Sequence, residues 1–179
     1  MCLLLVITWN AALAKIIYVD DDAVGANDGS SWVDAYTYLQ DALADANSAD
    51  KPAEIRVAQG VYKPDQGNGI TPGDWYATFT LINGVAIRGG YAGSGEPDPN
   101  ARDVEAFATI LSGDLAGDDV DVNDPADLLD EPTRRENSST VVMGSGTDDT
   151  AVLDGLTITA GQYYGVDIAG PVGGAGMFN

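Results

Sequence analysis

Two ten-residue segments of the chain share one pattern of apolar residues and glycines. LINGVAIRGG (Leu81–Gly90) aligns without a gap on VLDGLTITAG (Val152–Gly161), and Gly84 then matches Gly155. Short apolar runs bounded by Gly, Asn or Asp are typical of strands that end in tight turns. A recurring unit of this kind predicts short strands that stack on one another, as in a solenoid.

Other β-rich runs separate clusters of turn residues along most of the chain. The 22 glycines are about twice the average share, which favours a fold with many tight turns. One helix is predicted from Trp32 to Asn47, with Ser31 as its N-cap, because apolar residues recur there at helical spacing. The remaining predicted strands lie in Lys15–Asp20, Glu54–Tyr62, Thr78–Tyr91, Ala108–Asp114 and Thr140–Gly161.

The order IYVDDDAVGANDGSSW, AYTYLQDAL, EIRVAQGVYKP, FTLINGVAIRGGYAG resembles the N-terminal part of secreted right-handed parallel β-helix proteins of the pectate-lyase-like superfamily. The closing GGAGMFN resembles the Gly-rich repeats of polymorphic outer-membrane and autotransporter proteins. The resemblance covers residues 16–179 and implies an all-β fold. That fold is a right-handed parallel β-helix (a solenoid) with an N-terminal capping α-helix, truncated at its C-terminus.

The chain divides into three parts at the sequence level. Residues 1–14 are predicted to be a signal peptide, since an apolar run precedes the small-x-small pattern of Ala12 and Ala14. A buried first strand is the alternative for this segment. Residues 15–53 are predicted to hold the first strand and the capping helix. Residues 54–179 are predicted to form the coils, interrupted by insertions at 63–77 and 115–137.

Composition narrows the possible partners and the chemistry. The net charge of −20 disfavours nucleic acid and anionic lipid as partners, because both repel an acidic protein. The chain has no His, which excludes Ser-His-Asp catalysis and His-ligated zinc. Cys2 is the single cysteine, and cleavage after Ala14 would remove it. A secreted or cell-surface location through bacterial export is therefore expected, with no membrane insertion in this stretch of sequence.

The second insertion is rich in carboxylates and is a candidate calcium site. DVDVNDPADLLD (Asp119–Asp130) carries oxygen side chains at positions 1, 3, 5, 9 and 12, the spacing of an EF-hand loop. Asp124 replaces the Gly that such a loop needs at position 6, so a solvated acidic loop without an ion remains the alternative. The predicted ligands are Asp119, Asp121, Asn123, Asp127 and Asp130.

The first insertion carries two adjacent aromatic residues, Trp75 and Tyr76, which are predicted to stack on sugar rings if they are exposed. Packing against the protein wall is the alternative for these rings. The function predicted from these features is a non-catalytic secreted or surface module for adhesion or carbohydrate binding. The alternative is a polysaccharide lyase or glycoside hydrolase whose catalytic coils are partly missing. Arg88, Arg134 and Arg135 are the candidate bases of a lyase, although no pattern singles one out.

Overall fold

The computed structural model describes residues 14–124, 127, 131–162 and 176–178, and it forms one α-helix and ten short strands there. A 3-10 turn covers Pro132–Arg134. The other elements are β1 (Lys15–Val19), α1 (Leu39–Ser48), β2 (Ala53–Ala58), β3 (Gly60–Tyr62), β4 (Phe79–Thr80), β5 (Val85–Tyr91), β6 (Thr109–Ser112), β7 (Val142–Met143), β8 (Val152–Asp154), β9 (Thr157–Thr159) and β10 (Met177–Phe178).

The strands pair in parallel in three separate sheets. The largest has four strands in the order β1-β2-β5-β8, and the other two have the orders β3-β6-β9 and β10-β7-β4. In the first sheet the register places Ile17 opposite Ile55, Ile55 opposite Ile87 and Ile87 opposite Leu153. Apolar side chains from successive strands therefore face the same interior, which is the requirement for a continuous core.

The main core cluster is mostly aliphatic, with Phe79 and Tyr62 as its buried aromatic residues. Ile17, Ile55 and Phe79 are completely buried, and they belong to the same cluster as Leu111 and Val142 from the other two sheets. A smaller aromatic cluster lies apart from it, where Trp32 packs edge-on against Tyr18 at a centroid distance of 4.8 Å. Shared burial holds the three sheets together. Thr109 of β6 also bonds to the first sheet, since its hydroxyl donates to the Ala58 carbonyl and accepts from the Gly90 amide.

Helix α1 packs into the main core. It buries Leu39, Ala42, Leu43 and Ala46, four residues at helical spacing, against the strands. The prediction that the helix starts at Trp32 is wrong, because it begins only at Leu39. The Ser31 hydroxyl does accept a hydrogen bond from the Asp34 amide, as an N-cap would. The chain does not continue as a helix from there, because the Tyr36 backbone pairs with β1.

The prediction of an all-β, right-handed parallel β-helix is wrong. The described residues form a small mixed α/β domain with three short parallel sheets of three or four strands, and they do not form a long solenoid. The strands are short, with only two residues in β4, and residues 63–77 and 115–137 separate neighbouring strands along the chain. Helix α1 contributes four buried side chains to this core.

The predicted signal peptide lies outside the described residues except for Ala14, and the closing Gly-rich segment lies largely outside them. Among the residues that are described, no helix is long and apolar enough to cross a bilayer.

Candidate functional site

Residues 63–77, which we call the aromatic loop, run from the end of β3 toward β4 without a strand or a helix. Residues 115–137, the acidic loop, run between β6 and β7. The two loops are in contact. The Lys63 ammonium donates to the Leu115 carbonyl at 3.2 Å, and the amide of Ser139, two residues after the acidic loop, donates to the Trp75 carbonyl at 2.8 Å. Both therefore belong to one surface of the domain.

The aromatic loop presents its two large rings to solvent. Trp75 is 40% exposed and Tyr76 is 68% exposed, and their rings meet edge-on at a centroid distance of 5.1 Å. The loop is shaped by its own carboxylates. Buried Asp65 accepts a hydrogen bond from the Gly73 amide, and Asp74 accepts one from the Tyr76 amide. Both rings are exposed, whereas the alternative stated above has them packed against the protein wall.

A groove of about 300 Å³ lies between α1 and the aromatic loop. Helix α1 contributes Gln40 and Asn47 to its lining, and the loop contributes Asn68 and Ile70. The Gln40 side chain is held in place because its amide nitrogen donates to the carbonyls of Pro64 and Thr78. The remaining lining residues are Leu43, Ala44, Thr80 and Ile82, so none of the lining residues that the structure describes is ionisable.

Three of the predicted calcium ligands surround one shallow depression on the acidic loop. Asp121, Asn123 and Asp127 line it together with Glu131, which sequence analysis did not single out. The fifth predicted ligand, Asp130, lies outside the described residues. Their oxygen side chains suit a hard cation such as calcium, but they are largely exposed to water.

Asp119 points to different partners. Its Oδ2 accepts a hydrogen bond from the side-chain amide of Asn137 at 3.0 Å and lies 3.4 Å from Nη2 of Arg134. The Asp119 Oδ1, Asn137 Oδ1 and Arg134 Nε atoms are buried without a hydrogen-bond partner in the described part of the chain. Because the Arg134 guanidinium repels a cation, Asp119 fits calcium less well than its carboxylate neighbours.

Asp114, Asp118 and Glu136 form a tighter carboxylate group nearby. Their ligand oxygens all lie within 4.8 Å of one another. Asp114 also accepts hydrogen bonds from the backbone amides of Gly117 and Asp119, so the group is tied to the turn that opens the acidic loop. Burial raises the pKa of Glu136, and the charges of Asp118 and Asp114 raise it further. Glu136 lies outside the EF-hand-like window, so the spacing of that window does not predict it.

Asp20, Asp21 and Asp22 form a second carboxylate group that sequence analysis did not single out, although three consecutive acids after a strand were a visible signal. Burial raises the pKa of Asp20 and of Asp21. Asp20 is 3% exposed and accepts hydrogen bonds from the amides of Asp22 and Ser94. Its carboxylate therefore fastens the end of β1 to the turn at Ser94, which is a structural role.

Two of the candidate lyase bases, Arg88 and Arg134, form ion pairs within the protein. Arg88 bonds Asp154 and lies 3.5 Å from a Glu54 oxygen, and Arg134 pairs with Asp119. Asp148 accepts hydrogen bonds from the amide and the hydroxyl of Thr150, and these bonds lower its pKa. Such contacts are those of a turn-forming carboxylate.

Comparison with known proteins gives no relative, because no protein-family model, curated protein or solved structure matches the chain.

Proposed function

We propose that this chain is a non-catalytic module that contacts carbohydrate, exported to the cell surface or the medium. The observation that carries the proposal is the exposed aromatic pair of Trp75 and Tyr76. Exposed aromatic rings on a shaped loop are costly to leave in water, and amphipathic aromatic residues are favoured where a surface binds a ligand. The apolar faces of sugar rings provide a matching surface for them.

The surroundings of the pair support a binding role. Trp75 is held through its backbone carbonyl by Ser139, and Tyr76 through its amide by Asp74, so the loop fixes the backbone beneath the rings. A preorganised surface loses less conformational entropy on binding than a flexible one. The neighbouring groove supplies amide groups, which suit the hydroxyls of a sugar.

Affinity electrophoresis of the whole chain in gels that contain soluble polysaccharides tests the proposal. We expect at least one polysaccharide to retard the wild-type chain. Trp75→Ala and Tyr76→Ala should each weaken this retardation about tenfold, since aromatic residues dominate the affinity of such surfaces. Phe178→Ala is the matched control, because Phe178 is a half-exposed aromatic residue on β10. Equal retardation of the wild type and of both loop variants would overturn the proposal.

A second proposal concerns a divalent cation, with calcium as the expected ion, that orders the acidic loop. Its support is the grouping of Asp114, Asp118 and Glu136 within 4.8 Å, together with the depression lined by Asp121 and Asp127. Calcium takes six to eight oxygen ligands, and carboxylates from one loop supply several of them. A bound ion would also relieve the mutual repulsion of these charges.

Isothermal titration with CaCl₂ distinguishes the two groupings. If the tighter group binds the ion, Asp118→Asn combined with Glu136→Gln should abolish the heat of binding. In that case Asp121→Asn combined with Asp127→Asn should leave it nearly unchanged. Asp149→Asn is the control for the loss of an exposed charge. If CaCl₂ gives the wild type neither a heat of binding nor a higher thermal midpoint, the cation proposal is wrong.

The enzymatic alternative receives no support from the described residues. A lyase needs a basic group next to its substrate, whereas Arg88 and Arg134 are held in ion pairs.

A further inference from the structure

We infer that the groove between α1 and the aromatic loop binds a sugar unit of an uncharged polysaccharide and that polyuronates are rejected. This inference rests on the proposed carbohydrate-binding function and specifies the class of its ligand.

The groove has the chemistry of a site for neutral, hydroxyl-rich ligands. Its polar lining consists of the amides of Gln40, Asn47 and Asn68 and the hydroxyl of Thr80, beside the aliphatic side chains of Ile70 and Leu43. Amides both donate and accept hydrogen bonds, as sugar hydroxyls do. The volume of about 300 Å³ is at the small end of ligand pockets. It is therefore suited to a short stretch of a polymer.

Gln40 is the best-positioned group in this lining. Its amide nitrogen donates to the Pro64 carbonyl at 2.7 Å and to the Thr78 carbonyl at 3.0 Å. Both bonds use the nitrogen, which leaves the side-chain oxygen as an acceptor for a ligand hydroxyl. The same bonds connect α1 to both ends of the aromatic loop, so the groove and the aromatic pair are parts of one supported surface.

The charge of the molecule argues against an anionic ligand. The net charge is −20, and a polymer with a carboxylate on each sugar would be repelled. Seven of the eight basic residues bind an acid or a carbonyl through their side chain, and the eighth, Arg135, follows Arg134 directly beside Glu136. The seven are Lys15, Lys51, Lys63, Arg56, Arg88, Arg102 and Arg134.

Lys63 is the basic residue of the aromatic loop, and it shows why a carboxylated polymer finds no partner there. Its ammonium donates to the Leu115 carbonyl and lies next to Gly117 of the acidic loop. A uronate would have to displace this contact and approach the carboxylates of the acidic loop at the same time. Amide side chains alone do not compensate that repulsion.

The test compares hydroxyethylcellulose and galactomannan with polygalacturonate in affinity electrophoresis of the whole chain. The variants are Asn47→Leu, Asn68→Leu and Trp75→Ala, and circular dichroism confirms that each one folds. The two Asn side chains are exposed, so their replacement should leave the fold intact. We expect a neutral polymer to bind equally well at 20 and 300 mM NaCl. Each Asn variant should lose about fivefold in affinity, and polygalacturonate should not retard the chain at either salt concentration.

The possible outcomes separate this inference from the function on which it rests. Stronger retardation by polygalacturonate than by both neutral polymers would overturn the inference and leave the proposed function standing. Binding of a neutral polymer that weakens in Trp75→Ala but is unchanged in Asn47→Leu and Asn68→Leu would also overturn the inference and leave the proposed function standing. Absence of binding to all three polymers would overturn the inference. Binding that is the same in Trp75→Ala and in Tyr76→Ala as in the wild type would overturn both.

Discussion

Arg88 on β5 lies directly opposite Asp154 on β8, and its guanidinium donates a hydrogen bond to that carboxylate. Arg102, from the loop after β5, approaches the other oxygen of Asp154 at 3.1 Å. One carboxylate at the edge of the four-stranded sheet thus holds two arginines. The side chains are about one-third exposed, so water and salt screen both ion pairs.

Asp154→Asn should lower the free energy of unfolding by about 1 kcal/mol at low salt, since partly exposed ion pairs contribute roughly 0.2–1 kcal/mol each. The difference from the wild type should shrink in 0.5 M NaCl. Urea denaturation at both salt concentrations measures it. Asp149→Asn removes an equal charge from an exposed position and should have little effect; a loss as large in this control would contradict the role given to Asp154.

The two faces of β6 allow a paired test of the core. Leu111 is fully buried, and its neighbour Ile110 is only partly buried on the opposite face of the strand. Leu111→Ala should cost about 2–5 kcal/mol, as cavities in a packed core do. Ile110→Ala should cost roughly 1 kcal/mol or less. Chemical denaturation provides both values, and equal losses would show that the assignment of the two faces is wrong.

Gly113, between β6 and the acidic loop, lies too close to Ala160 and Val141 to accept a side chain. A Cβ atom there would lie 2.5 Å from the Ala160 carbonyl oxygen and 2.9 Å from a Val141 methyl group. Gly113→Ala should therefore destabilise the fold by about 1–3 kcal/mol through overpacking. In Gly176→Ala the added methyl has Ile158 as its one neighbour among the described residues, at 3.7 Å, so its thermal midpoint should match the wild type.

The contributions of Glu136 and Asp148 to the free energy of unfolding should depend on pH in opposite directions. Burial raises the pKa of Glu136 above its ordinary 4.5, so the folded chain holds this proton more tightly than the unfolded chain. The resulting stabilisation is complete below pH 4.5 and is lost as the pH rises through the folded value. Glu136→Gln should therefore make the decline in unfolding free energy from pH 4.5 to 7 shallower.

Asp148 is the matched control for this pH dependence. Hydrogen bonds from Thr150 lower the pKa of Asp148, so its contribution is present above pH 3.8 and is lost as the pH falls through the lowered value. Asp148→Asn should therefore leave the slope between pH 4.5 and 7 unchanged and flatten the curve below pH 4. If the curve of unfolding free energy against pH for Glu136→Gln is shifted from the wild-type curve without a change of slope, the raised pKa of Glu136 is contradicted.

Strand positions followed from the sequence because they depend on local chemistry. Runs such as Lys15–Asp20 combine β-branched residues with flanking turn residues, and β1 occupies nearly that whole run. The pairing of strands did not follow in the same way. The alignment of the two similar segments matched Ile87 with Ile158, whereas the structure pairs Ile87 with Leu153. Register depends on contacts between distant residues, which a sequence likeness does not contain.

The fold class failed for a related reason. The helical spacing around Leu39 and Leu43 was visible, but the sequence did not show that these residues enter the main core. The seven residues before Leu39 also have helical spacing, and they are instead used by the aromatic cluster at Trp32 and by the bridge at Tyr36. Tertiary contacts overrode local propensity there.

The candidate site was predictable in its residue types and less so in its geometry. The exposed position of Trp75 and Tyr76 agrees with a contact role, although their binding of sugar stays a prediction. The EF-hand-like spacing grouped Asp119 with Asp121, but Asp119 pairs with Arg134, 15 positions later in the chain. Spacing within one loop predicts ligands only when the loop takes the expected shape, and Asp124 in place of Gly removes one requirement for it.

Trp32 and Trp75 differ in burial, so their fluorescence can report unfolding and ligand binding separately. Trp32 is 6% exposed inside the aromatic cluster, whereas Trp75 is 40% exposed on the aromatic loop. In a Trp9→Phe background, acrylamide should quench the emission of Trp75 much more strongly than that of Trp32. The fluorescence of Trp75 would then report ligand binding to the aromatic loop, and that of Trp32 would report unfolding. One titration would measure both processes.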